Sequence, residues 1–124
     1  MPLKTKQGTE SASKRDDPVS GPWGRIHDDP MPTVRFQKTD KWNSVTYSYP
    51  YRSLSRWKYR KSYSSEEILL QAVTDTVTIT GRNLEKLVEA LDHGKLDLVR
   101  EMGEGDSMSS SPIIVQSIAV KEAS

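Results

Sequence analysis

From Ser44 onward the chain alternates apolar and polar positions with a period of two: Val45, Tyr47, Tyr49 and Tyr51 share one face, and Thr46, Ser48 and Pro50 the other. That spacing predicts a strand, with Pro50 marking an edge or a strand end. After a break at RSLS the alternation resumes in WKYRKSY (57–63). Trp57, Tyr59 and Tyr63 share a face with Lys61, while Arg56, Lys58 and Arg60 take the opposite one, and the two segments are expected to pair as a hairpin. EILLQAV (67–73) reads as a nearly continuous buried strand, Thr74 and Asp75 as a turn, and TVTIT (76–80) as a strand with Val77 and Ile79 inward.

The period then changes. In GRNLEKLVEALDHG the apolar residues Leu84, Leu87, Val88 and Leu91 recur at i, i+3, i+4 and i+7, one face of a helix. Asn83 is the expected N-cap and Gly94 the stop, with Glu85 and His93 suited to the two ends of the dipole. KLDLVREM (95–102) sets Leu96 and Leu98 against Asp97 and Val99, GEGDSMSSS reads as a loop, and PIIVQSIAV (112–120) as a last strand. The expected domain is therefore α+β over residues 42–122, in the order β-β-β-β-α-β-β. A mostly antiparallel sheet of five to six strands with one helix packed on a face is its economical packing.

Residues 1–41 look different. KTKQGTESASKRDDP is polar and aperiodic, and five of the seven prolines fall in the first forty positions. A segment of that composition buries too little apolar surface to offset its ordering entropy, so a largely disordered tail is expected. Within it, GPWGRIHDDPMPTVRF carries Trp23, Ile26, Val34 and Phe36, enough apolar groups to lie against the domain or a partner.

Composition narrows the functional classes. Hydrophobic residues are 34% of the chain, below the usual value of roughly 45–50%, as a small core behind a polar tail would give. No apolar run approaches the roughly 18 residues a membrane helix needs, and the N-terminus lacks a secretory h-region, so a soluble cytoplasmic protein without membrane contact is expected. With no cysteine there is no disulfide, thiolate nucleophile or cysteine zinc site. The net charge of +1 conceals two blocks: six basic and no acidic residues over 41–63, then five basic against eleven acidic over 64–124.

Catalytic chemistry is poorly provided for. The two histidines, His27 and His93, are not paired by spacing, and His27-Asp28-Asp29 sits in a segment with no rigid second shell for a metal. Gly105-Asp106-Ser107 resembles the nucleophile block of one esterase class over three residues only, and no histidine follows Ser107 to serve as its base. Glu66 and Glu67 are adjacent, so on a strand they point to opposite faces. There is no phosphate-binding glycine motif. A non-enzymatic protein with no cofactor and no metal is the expectation.

What remains is the basic-aromatic segment, with Arg52, Arg56, Trp57, Lys58, Tyr59, Arg60 and Lys61 as candidate binding residues. One reading makes it a contact for a protein partner or a second copy of the chain, since its charge is answered by the acidic remainder and an edge strand invites strand addition. The other makes it a platform for single-stranded RNA or DNA, with rings stacked on bases and cations on phosphates. Alternation puts most of the cations on the face opposite the rings, which counts against the platform and suits a strand whose Trp57 and Tyr59 face the helix stripe while its basic residues wet the outer face.

Overall fold

The computed structural model describes residues 19–102 and 112–122. Nine strands and one helix lie within them: β1 Val19–Gly21, β2 Gly24–Ile26, β3 Thr33–Thr39, β4 Ser44–Pro50, β5 Leu54–Lys61, β6 Glu66–Ala72, β7 Asp75–Arg82, α1 Glu85–Asp92, β8 Leu96–Arg100 and β9 Ile114–Glu122. From β4 onward the elements follow the expected β-β-β-β-α-β-β order. Two differences matter. The strands form two sheets rather than one, ordered β1-β2-β8-β3-β4 and β5-β6-β7-β9. The boundary expected at residue 41 falls inside the β3–β4 hairpin, and the segment taken as tail supplies β1, β2 and β3.

The expected hairpin between the tyrosine strand and WKYRKSY is also absent. β4 pairs antiparallel with β3, and β5 with β6. Pro50 ends β4, a single 3-10 turn at Tyr51–Ser53 follows, and the chain crosses there from one sheet to the other. The Tyr51 hydroxyl pins this corner by donating to the Leu96 carbonyl at 2.7 Å.

Alternation on both sheets points at one shared core. Val34, Phe36 and Tyr49 face inward from the five-stranded sheet, and Ile68, Leu70, Val77, Ile79 and Ile118 from the four-stranded one. Phe36 and Tyr49 meet as tilted rings 5.9 Å apart. Trp23, expected to lie against something, is 3% exposed and part of this core. Helix α1 adds Leu87, Ala90 and Leu91, and Leu84 just before it joins them. Its C-terminus closes as a Schellman motif, with Lys95 N–H on the Ala90 carbonyl at 2.7 Å, Gly94 N–H on that of Leu91 at 3.0 Å, and Gly94 at φ 69°.

The N-terminus of α1 departs from the expected cap. Asn83 sits at φ 58° and its side chain donates to the Pro112 carbonyl at 2.6 Å, so it is not a helix cap. Leu84 is the N-cap residue, and Glu66 on β6 braces the entry to the helix, accepting the N–H groups of Asn83 at 2.9 Å and Leu84 at 2.8 Å. The sheets are joined by a second carboxylate. Glu101 accepts the N–H of Thr39 at 3.1 Å and of Ile118 at 2.8 Å, and pairs with Lys38, whose ammonium also reaches the Ile118 carbonyl.

Candidate functional site

Among the described residues β5 is an edge strand, hydrogen-bonded to β6 alone. Its alternation separates two kinds of side chain. Trp57 and Tyr59 turn toward the core: the Trp57 indole donates to Asp92 at the end of α1 at 2.8 Å, and the Tyr59 hydroxyl to Glu66 at 2.7 Å. Burial, the bond to Glu66 and the charges of Glu66 and Glu85 push the Tyr59 pKa up to about 12. Arg56, Lys58 and Arg60 are exposed on the outer face, Lys61 is exposed at the strand end, and Arg52 is exposed on the 3-10 turn. Arg60 pairs with Glu67 across the β5–β6 ladder at 3.2 Å, with Arg60 exposed and Glu67 half-buried. Arg52, Arg56 and Lys58 have no ion pair among the described residues.

Glu66 and Glu67 do point apart, one to the helix and one to Arg60. Burial alone would raise the Glu66 pKa. The Tyr59 hydroxyl, the N–H groups of Leu84 and Asn83 and the charge of Lys61 outweigh it and hold the carboxyl below its ordinary range.

A second cluster lies on the outer face of the other sheet. Arg25 on β2 and Arg35 on β3 both stand opposite Leu98 of the intervening strand β8. Between them is Asp97, 3% exposed. It is the extra residue of a bulge, since Arg25 faces Leu98 while Ile26 faces Leu96. Asp97 Oδ2 accepts from Arg25 Nε at 2.7 Å and Nη2 at 2.6 Å, and lies 3.1 Å from His27 Nε2. Arg35 Nη2 spans both oxygens at 3.1 and 3.2 Å. Burial disfavours the charged carboxylate, but hydrogen bonds and charge from Arg25 and Arg35 prevail and keep its pKa low. On the same face, Arg100 Nε donates to Gln37 at 3.0 Å.

Neither Arg25, His27, Arg35 nor Asp97 stands out from local periodicity. The available signal was an aspartate in the middle of the apolar strand LDLV, where a charge requires partners. His27, expected in a segment without rigid support, is held by its own N–H to the Lys95 carbonyl at 2.9 Å. His93 is exposed at the helix end. Ser107 and its neighbours lie outside the described residues. Among the described residues no group of three or more His, Asp or Glu is arranged to hold a metal, and no helix is long and apolar enough to cross a membrane. Comparison with protein-family models, curated proteins and solved structures finds no match.

Proposed function

We propose that the chain is a non-catalytic, cytoplasmic binding module that takes an extended acidic segment of a partner protein onto the open edge of β5. The observation that carries this reading is a sheet edge unpaired among the described residues, whose outward side chains, Arg56, Lys58 and Arg60, form a cationic row. An added strand supplies backbone hydrogen bonds for affinity, and its alternate side chains set register. Acidic residues opposite Arg56 and Lys58 contribute roughly 0.2–1 kcal/mol each.

Two further facts support the choice of partner. The same cationic row disfavours antiparallel pairing of β5 with β5 of a second copy, because like charges would face each other. Stacking on successive unpaired bases needs several exposed rings. Of the three expected on this face, Trp57 and Tyr59 are tied to Asp92 and Glu66, and Tyr63, past the end of β5, is the exposed one.

The test is a titration with an extended peptide carrying glutamates at alternate positions, followed by backbone amide shifts at low and physiological salt. Saturable binding centred on β5, weakened by salt and removed by combined Arg56→Glu and Lys58→Glu, is the expected result. Amide shifts elsewhere, or binding that survives charge reversal, would refute it. Salt-sensitive capture of single-stranded RNA with tryptophan quenching, in place of the peptide, would transfer the surface to nucleic acid.

A further inference from the structure

We infer that the outer face of the five-stranded sheet is a binding site for a dianionic phosphate, held by Arg25, Arg35 and Arg100. The register sets the triangle. Arg25 and Arg35 flank Leu98 on its two neighbouring strands, and Arg100 lies two residues along β8 on the same face. Strand spacing puts the first two about 10 Å apart at Cα and the third about 7 Å along from Leu98, distances that long side chains close onto one small ligand.

Each guanidinium is oriented by a neutral or acidic partner that occupies only part of its fork. Asp97 engages Nε and Nη2 of Arg25 and Nη2 of Arg35, and Gln37 engages Nε of Arg100. Nη1 of Arg25, and Nε and Nη1 of Arg35, have no partner among the described residues, and both side chains are 37–40% exposed. A guanidinium fork matches phosphate oxygens bidentately, and one held in place beforehand loses less rotamer freedom on binding.

Charge selects the ligand. Three arginines against one Asp97 carboxylate leave a surplus of two, equal to the charge of a phosphate dianion near neutral pH. Asp97, whose two oxygens offer about four acceptor sites, engages both arginines and lies 3.1 Å from His27, and each arginine keeps donors to spare.

The experiment follows the arginine Nε–Hε resonances while the full chain is titrated with inorganic phosphate and, separately, with glycerol 3-phosphate, using sodium chloride at matched ionic strength as control. Saturable shifts of all three arginines at millimolar concentration or below are expected, with the tighter of the two probes telling a free phosphate from a phosphate monoester. Asp97→Asn raises the local positive charge by one, so generic attraction would tighten binding. A cradle organised by Asp97 instead weakens it by about tenfold. Arg100→Lys keeps the charge and loses the fork, and is expected to weaken binding by about tenfold with an unchanged melting temperature. It decides the matter if Asp97→Asn does not fold. No saturation with either probe, tighter binding by Asp97→Asn, or wild-type affinity in Arg100→Lys would overturn the proposal.

Discussion

The two sheets each present a basic outer surface, and the two are wired in opposite ways. On the five-stranded sheet Arg25 and Arg35 converge on a buried carboxylate that lies between their strands. On the four-stranded sheet Arg56 and Lys58 end in solvent, and Arg60, largely exposed, pairs with a half-buried Glu67. Charge anchored on a buried acid becomes fixed geometry and part of what holds the sheet together. Unanchored charge contributes little to folding and acts at longer range, where salt screens it.

The largest effect expected from this contrast is at Asp97. Asp97→Ala removes the common acceptor of β2 and β3 and leaves two half-buried guanidinium groups facing each other. Buried pairs broken in this way cost about 3–5 kcal/mol, and the partial hydration of both arginines brings the figure here to about 2–3 kcal/mol. Urea unfolding measures it. A loss below about 0.5 kcal/mol, the range of ordinary surface changes, would mean that the cluster only decorates the sheet.

Glu66 offers the intermediate case, a buried carboxylate satisfied by a hydroxyl and two backbone N–H groups instead of by arginine. Glu66→Gln keeps the shape but puts a donor NH2 where one of the two accepting oxygens stood. The acceptor on that side is lost together with the charge on the other, and about 1–2 kcal/mol of stability should go with it. pH separates both carboxylates from the cationic row of β5. Asp97 and Glu66 are held low in the folded state relative to unfolded values of about 3.9 and 4.3, so their contribution is complete above those values. It drains as pH falls through the folded-state values, because the unfolded chain then binds more protons. Melting temperature against pH should therefore fall on the acid side in the wild type and fall less steeply in Asp97→Asn. Parallel curves would remove Asp97 from the account.

The same contrast explains what was legible in the sequence. The seven elements from β4 onward follow from periodicity, because each carries its own pattern: Tyr47 and Tyr49 on β4, Ile68 and Leu70 on β6, Leu87 and Leu91 on the helix. β1 to β3 do not, because their apolar residues are few and, beyond the local β1–β2 and β3–β4 pairings, β2 and β3 join the sheet through the remote β8. Phe36 is buried through a parallel contact with Val99, more than sixty residues away, and local composition carries no trace of that partner. Gly24 makes the point at one residue. At φ 140° a Cβ there would stand 1.9 Å from the Leu98 carbonyl, so this glycine marks a point of close strand approach. The Asp97 bulge adds a phase error. One inserted residue puts Leu96 and Val99 in the core and turns Asp97 to the outer face, where plain alternation pairs Leu96 with Leu98.

The smallest expected change in stability is the one that tests the unanchored surface. Replacing Arg56 and Lys58 together by glutamine removes two charges without ion-pair partners among the described residues from an exposed edge, and should move the unfolding free energy by no more than about 0.5 kcal/mol. The same variant should lose most of the salt dependence of acidic-peptide binding, because that dependence comes from the charges removed. If it instead loses more than about 1 kcal/mol, the row on β5 is tied into the fold as the Asp97 face is, and the distinction between anchored and free charge fails. If stability and salt dependence both stay as they were, the attraction resides elsewhere, and Arg52, Arg60 and Lys61 become the residues to vary.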